Sequence, residues 1–217
     1  GTLTYSWAPS GGTAATATGL IAGTYTVTIT DANNCSITQN VSITEPNALT
    51  ATVTHTNVLC NGGATGSATA TVNGGTSPYT YAWAPQGGTV ATATGLITGS
   101  YTVTITDANS CVTTQSVTIT EPTILAATST KTDILCHGDS AGTASVTPSG
   151  GTAPYTYSWA PYVSTDSVIK MVPAGTYTAT ITDANNCKQT VQVTITEPTI
   201  LAITSTQKNA GCNGAAD

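Results

Sequence analysis

Six cysteines are the residues of this chain whose type and spacing indicate chemistry. They form two series, and the residue number rises by 76 from each cysteine of a series to the next. No two of them form a C-x-x-C pair and no histidine repeats with them, which argues against structural zinc. Paired thiols at fixed positions instead predict disulfides, which persist outside the cytosol. The candidate disulfide cysteines are Cys35, Cys60, Cys111, Cys136, Cys187 and Cys212.

The other titratable side chains offer little for catalysis. His55 and His137 occupy different positions relative to the cysteine series. No histidine-based site therefore recurs, and we expect a protein that is not an enzyme. Asp31, Asp107 and Asp183 do recur, each within a Thr-Asp-Ala-Asn segment. We expect these aspartates to form Asx-turns, in which the carboxylate accepts hydrogen bonds from nearby backbone N–H groups.

Calcium is the alternative role for the recurring aspartates. It would need further carboxylates from Glu45, Glu121 or Glu197, each of which stands directly before a proline. Oxygen-rich calcium sites use several carboxylates, and each interval between successive cysteines of one series supplies few of them close together in the sequence. The sequence therefore predicts neither a metal site nor a cofactor.

The same step of 76 in residue number separates Trp7, Trp83 and Trp159, and it separates the three Glu-Pro pairs. A fixed period of this kind marks tandem repeats. We take the Glu-Pro pairs as the joints between repeats and expect the array to continue beyond both ends. The predicted boundaries give the C-terminal part of a repeat at 1–46, complete repeats at 47–122 and 123–198, and the N-terminal part of a further repeat at 199–217.

The composition excludes several classes of protein. Only 6% of the residues are charged, and the formal net charge is −6. An acidic surface with so few Lys and Arg residues repels phosphate backbones, so we expect no nucleic-acid partner. The high content of β-branched residues argues against disorder. No apolar run reaches the roughly 18 residues that a membrane-spanning helix needs, so we expect no membrane-spanning segment.

Within residues 47–122, polar and apolar residues alternate in short runs separated by Gly, Pro and Asn. The run at 100–106 alternates strictly, which places Tyr101, Val103 and Ile105 on one face of a strand. Nothing in the repeat has a helical period. The predicted strands cover residues 49–58, 67–72, 79–83, 89–96 and 100–106, with a last strand reaching Thr120.

Short strands without helices predict an all-β fold of tandem β-sandwiches, of the immunoglobulin or fibronectin type III kind. Tyr79, Tyr81 and Trp83 share one face of the third strand, which favours a core position over a sugar-stacking platform. Tyr101 predicts a tyrosine corner, in which the hydroxyl bonds back to the backbone. We expect each sandwich to contact chiefly the neighbouring repeats in an elongated array.

The connectivity of the cysteines depends on this topology. In such a sandwich the loop with Cys60 and the hairpin with Cys111 lie at opposite ends of one repeat. A disulfide between them is then awkward, because bonded cysteines bring their Cα atoms within about 7 Å. This predicts a bond between Cys60 and Cys187, across a joint. Two alternatives stay open: Cys35–Cys60 with Cys111–Cys136 if the chain folds back at the joints, and Cys60–Cys111 if the strands form a simple meander.

Four strings characterise the second repeat: CNGG at 60–63, GGTSPYTYAW at 74–83, GSYTVTITDANSC at 99–111 and VTITEP at 117–122. With these strings the sequence resembles the SprB repeats, which occur in very long cell-surface proteins of gliding and filamentous Bacteroidetes. The resemblance covers essentially the whole chain. The third repeat departs from it at residues 162–172, where the Gly-Gly-Thr loop and the Ala-Thr strand are replaced.

This resemblance implies the repeat region of a secreted cell-surface adhesin or extracellular filament, exported across the outer membrane by the type IX system and involved in surface adhesion or gliding. Its partners would be neighbouring repeats, surface polysaccharide or other copies of the chain. Ser140 and Ser167 each follow an aspartate, in tripeptides similar to the O-glycosylation signal of Bacteroidetes. Two other functions stay open: a carbohydrate-binding module attached to a secreted enzyme, and a self-assembling fibre with weakly charged strand edges.

Overall fold

The computed structural model describes residues 1–207, and its regular structure is entirely β. The strands are short and are joined by turns rich in Gly, Asn and Asp, as the alternating sequence predicts. In chain order they are β1 (Thr4–Ala8), β2 (Gly23–Thr30), β3 (Ser36–Ile43), β4 (Thr50–Thr56), β5 (Gly66–Asn73), β6 (Thr80–Ala84), β7 (Thr92–Leu96), β8 (Gly99–Thr106), β9 (Val112–Ile119), β10 (Ala126–Thr132), β11 (Gly142–Ser149), β12 (Thr156–Ala160), β13 (Val168–Val172), β14 (Gly175–Thr182) and β15 (Lys188–Ile195).

The strands repeat with the period of the sequence. Each of β4 to β9 has a counterpart among β10 to β15 that begins one repeat period later. Strands β1, β2 and β3 likewise precede β6, β8 and β9 by one period. The strands predicted from the sequence are therefore present, although the first and fourth of residues 47–122 are shorter than predicted.

Each set of six strands is divided between two three-stranded sheets. The orders are β4-β5-β7 with β6-β8-β9, and β10-β11-β13 with β12-β14-β15. Because the chain crosses between the two sheets after β5, after β6 and after β7, the topology is that of an immunoglobulin-type sandwich and not a simple meander. The predicted fold class, tandem all-β sandwich repeats, is confirmed.

The chain packs as two compact units. The first comprises Gly1–Thr54, Thr69–Thr92 and Thr102–Ser116. The second comprises His55–Ala68, Ala93–Tyr101 and the chain from Val117 onward. The limits of these units fall within strands rather than at the Glu-Pro pairs, so the repeat boundaries at residues 46, 122 and 198 stay a prediction.

The core of the second unit follows the two-residue period of its strands. In β14, Tyr177, Ala179 and Ile181 are buried and alternate with half-buried threonines. Trp159 is 3% exposed, and its indole N–H donates to the Asp166 carbonyl oxygen at 2.8 Å. Satisfying that N–H makes the burial of a tryptophan favourable. The cluster consists of Leu125, Ile134, Ala144, Val146, Trp159, Ile169, Val172, Tyr177, Ala179, Ile181, Val193 and Ile195.

The first unit uses the same tryptophan. Trp83 is 7% exposed, and its indole N–H donates to the Val90 carbonyl oxygen at 3.0 Å. Val103 and Ile105 of β8 are fully buried. Tyr79 is half-buried, and its hydroxyl donates to the Gly74 carbonyl oxygen at 2.7 Å. Trp83 therefore belongs to the core, as predicted, whereas Tyr79 and Tyr81 are half-buried.

The predicted tyrosine corner is present in both units. The Tyr25 hydroxyl donates to the Ile21 carbonyl oxygen at 3.1 Å in the first unit. The Tyr101 hydroxyl donates to the Ile97 carbonyl oxygen at 3.1 Å in the second. The bond fixes the start of the strand that carries each tyrosine.

Residues 162–172 of the third repeat differ in sequence from the second repeat, but they still contain the strand β13, the counterpart of β7. Ile169 and Val172 of β13 are buried, and β13 pairs antiparallel with β11 with a register shift beside Gly142. Met171 has a φ of 56°, where Gly95 of β7 has 69°. The strand therefore places a methionine in the left-handed conformation that glycine adopts without strain.

Candidate functional site

The disulfide Cys60–Cys187 is the feature of the structure that fits a functional role most directly. It joins residues 127 apart in sequence, and its Cα atoms lie 5.7 Å apart. That separation is within the normal range for a disulfide. The bond links residues 47–122 to residues 123–198, as the topology predicted. The pairings of Cys60 with Cys35 or with Cys111 are wrong.

The loop that carries Cys60 is held by the Glu-Pro pair of its own repeat. The Gly63 N–H donates to the Cys60 carbonyl oxygen at 2.9 Å and closes the turn. The Gly62 N–H donates to Oε2 of Glu121 at 2.6 Å. The Asn61 amide donates to the Pro122 carbonyl oxygen at 3.0 Å. Hydrogen bonds to a carboxylate are among the stronger ones in proteins, so Glu121 fixes the cysteine loop as well as preceding the proline.

The third repeat builds its loop in the same way. The Gly138 N–H donates to Oε2 of Glu197 at 2.7 Å. His137 stands where the second repeat has Asn61, and its Nδ1 lies 3.1 Å from the Pro198 carbonyl oxygen and 3.4 Å from Oε1 of Glu197. The histidine thus replaces an amide in a structural contact. Glu121 and Glu197 therefore accept a backbone N–H group from the cysteine loop of their own repeat.

The hairpin that carries Cys187 is organised by a buried aspartate. Oδ1 of Asp183 accepts the N–H groups of Asn185 and Cys187, both at 2.9 Å. Oδ2 accepts the N–H of Thr152 at 2.9 Å. Burial by itself raises the pKa of Asp183, but these three N–H donors outweigh it and the pKa is lowered. The predicted Asx-turn is confirmed.

The equivalent aspartates make the same turn. Oδ1 of Asp107 accepts the N–H groups of Asn109 at 2.9 Å and of Cys111 at 2.8 Å. The Thr76 N–H, the largest influence, donates to Oδ2 and lowers the pKa of Asp107. Asp31 accepts the corresponding N–H groups of residues 33 and 35. The recurring aspartates therefore serve the backbone of each hairpin.

One direct hydrogen bond accompanies the disulfide. The Asn185 side-chain amide donates to the Leu59 carbonyl oxygen at 2.9 Å and to Oγ1 of Thr152 at 3.1 Å. Sγ of Cys187 lies 3.5 Å from the same Leu59 oxygen. That approach is a van der Waals contact, because a disulfide sulfur carries no proton. Asn185 thus ties its own hairpin to the Cys60 loop. The sequence signal for it was its recurrence in the Asp-Ala-Asn segment.

The sequence profile of the SprB repeat matches two segments of the chain, residues 52–88 and 128–162. The first contains the Cys60 loop and Trp83, and the second contains the Cys136 loop and Trp159. The family resemblance is confirmed for these segments. Both matches end before the Asp-Ala-Asn hairpins.

No curated protein matches the chain. Among solved structures, the amphioxus IgVJ-C2 molecule is 12% identical and covers 56% of this chain and 90% of its own, at a TM-score of 0.30. The S-layer protein SbsC is 16% identical and covers 93% of this chain and 36% of its own, at a TM-score of 0.33. A C-terminal intimin fragment in complex with the intimin-binding domain of its receptor is 16% identical. It covers 79% of this chain and 57% of its own, at a TM-score of 0.31. Similarities at this level carry no inference about function.

The remaining candidate residues are four cysteines and two serines. Cys35, Cys111 and Cys136 are free and exposed, so disulfides at these positions stay a prediction, and Cys212 lies outside the described residues. Ser140 is exposed and Ser167 is half-buried beside Tyr162 and Lys170. Their glycosylation also stays a prediction.

Across residues 1–207, no three His, Cys, Asp or Glu side chains come close enough together to hold a metal ion. Over the same residues, no helix has the length and apolar character needed to cross a membrane.

Proposed function

We propose that the chain is a structural repeat region of a long secreted adhesin or extracellular filament at the cell surface. The observation that carries this proposal is the Cys60–Cys187 disulfide, which bonds two successive repeats covalently. A structural disulfide persists in an oxidising compartment and is rare in the cytosol. A covalent joint suits a molecule that transmits a pulling force between a cell and a surface.

The surface chemistry supports the same role. With 6% charged residues, the strands rely on cross-strand hydroxyl pairs such as Thr102–Ser116 at 2.9 Å and Thr130–Ser145 at 2.6 Å. Such pairs stabilise neighbouring strands without charge. The match to SprB repeats supports the finer proposal of adhesion during gliding, with export across the outer membrane.

Carbohydrate binding through the core aromatics has less support. Trp83 is buried and its N–H is bonded to Val90, whereas a sugar-stacking residue needs an exposed ring face. A module of a secreted enzyme built on this residue is therefore the weaker proposal.

The test determines in one experiment where the native chain is located and which of its cysteines are disulfide-bonded. Intact cells are treated with a membrane-impermeant, mass-tagged maleimide and with external protease, and the released peptides are mapped without reduction. We expect the chain among the surface peptides, with Cys60 and Cys187 in one linked peptide. A chain found only inside the cell, with both thiols reduced, contradicts the proposal.

A further inference from the structure

The loop that carries Cys136 is built like the Cys60 loop, but no hairpin among residues 1–207 lies beside it. Leu135 is 90% exposed, whereas Leu59 at the equivalent position is 49% exposed. Leu59 is the residue whose carbonyl oxygen accepts the Asn185 amide. An exposed leucine next to an exposed thiol marks a surface that resembles one half of a joint.

The grooves beside the two loops are lined by equivalent residues. The groove at Cys136, of about 590 Å³, includes His137, Ile200 and Leu201. The groove at Cys60, of about 320 Å³, includes Asn61, Ile124 and Leu125, which occupy the same positions one repeat period earlier. It also contains Cys187, Lys188 and Gln189. The two grooves therefore share an equivalent lining, and the smaller one is additionally bordered by the hairpin that carries Cys187.

The complementary half is present on the hairpin of residues 107–111. Asp107 holds the N–H groups of Asn109 and Cys111 as Asp183 holds their counterparts. The Asn109 amide donates to Oγ1 of Thr76 at 2.9 Å, as Asn185 does to Thr152. Both Asn109 and Cys111 are exposed, whereas their counterparts in the joint are half-buried.

We propose that residues 135–137 form a docking surface for the Asp-Ala-Asn-x-Cys hairpin of a further repeat of the same type, placed directly after Pro198. The hairpin asparagine donates to the Leu135 carbonyl oxygen, and the hairpin cysteine forms a disulfide with Cys136. This inference rests on the proposed function and names the partner of the free cysteine loop. The hairpin of residues 107–111 is the matching half for a loop of the Cys60 type in another repeat.

The bond forms by oxidation of two thiols. The Cys136 thiolate attacks a disulfide oxidant, such as oxidised glutathione, and releases one glutathione thiolate. The hairpin thiolate then attacks the mixed disulfide and releases the second. Two thiols lose two protons and two electrons, and one oxidant disulfide is reduced to two thiols.

The test uses the full chain with a second copy of residues 123–198 inserted directly after Pro198. Lys188→Arg in the inserted copy alone gives its hairpin peptide a distinct mass, and Cys136→Ser in that same copy leaves one Cys136 in the chain. The protein is refolded with oxidised glutathione and mapped without reduction. We expect Cys60 linked to the original hairpin and Cys136 linked to the inserted one. Alkylation of Cys136 should fall at least about tenfold relative to the parent chain, because a bonded sulfur offers no thiolate.

The matched control carries Cys136→Ser in the original copy as well, and it should lose the second link and retain the first. The first link alone, with Cys136 fully alkylated, overturns the docking surface and leaves the proposed function intact. Loss of both links in a folded protein overturns the two proposals together. A Cys136 link to the original hairpin, with Cys60 free, also overturns the docking rule.

Discussion

Under tension, the Cys60–Cys187 disulfide should prevent more than half of the chain from being extended. Force applied between the two ends passes through the bond, so the 127-residue span that it closes carries no load. An extended chain measures about 3.3–3.6 Å per residue. Reducing the bond should therefore release about 420–460 Å of additional contour length.

The measurement is single-molecule force spectroscopy on the chain tethered at both ends, in the absence and presence of a reductant. The variant Cys60→Ser should show the full contour length without reductant. Cys111→Ser is the matched control, because it removes a free, exposed thiol and should leave the oxidised length unchanged.

Equal contour lengths in oxidising and reducing buffer would refute the reasoning, provided that peptide mapping finds the bond intact before pulling. That result would mean that the load bypasses the disulfide. A released length far from about 420–460 Å would instead indicate a different pairing, because the length follows directly from the 127-residue separation.

Three further predictions concern stability and are measured by chemical or thermal unfolding. Met171→Gly should stabilise by about 0.5–1 kcal/mol because a left-handed φ strains an L side chain, and Gly95→Met should destabilise by a similar amount. Gly74→Ala should cost more than about 2 kcal/mol, because the new Cβ meets the Ala48 carbonyl oxygen. Gly62→Ala, with open space around it, should cost only the φ strain of about 1 kcal/mol. Asp183 has a lowered pKa in the folded state. The contribution of the ionised Asp183 to folding stability is therefore complete above the usual aspartate pKa of about 3.9. It is lost as the pH falls through the lower pKa of the folded state. Asp183→Asn should flatten that part of the acid transition, and an unchanged pH profile would contradict the role given to the carboxylate.

Features set by neighbouring residues could be predicted from the sequence. The alternation of residues 100–106 gave β8, and the Thr-Asp-Ala-Asn segment gave the Asx-turn of Asp107, because both depend on local geometry. The expected topology favoured the Cys60–Cys187 pairing but left two other pairings open, and the structure shows which one forms.

Contacts between distant residues could not be predicted in this way. Gly62 bonds to Glu121 at a separation of 59 residues, and Asn185 bonds to Leu59 at 126. No periodic pattern specifies such a pair, and recurrence marks only that each residue has a role. The left-handed Met171 was missed for another reason, since methionine gives no signal of a positive φ.

The contact between the Cys60 loop and the Asn185 hairpin should depend on the redox state more strongly than the stability of the sandwiches does. The sandwich of β10 to β15 is held by a buried apolar cluster, and the half-buried Cys187 packs against that cluster without being one of its fully buried members. Between the Cys60 loop and the Asn185 hairpin, the structure shows the Asn185–Leu59 hydrogen bond, the van der Waals contact of the Cys187 sulfur with the same Leu59 oxygen, and the disulfide. A net hydrogen bond contributes about 1 kcal/mol. Reduction should therefore separate the hairpin from the loop while the sandwiches stay folded, so that near-ultraviolet circular dichroism is retained as the Asn185 contact is lost.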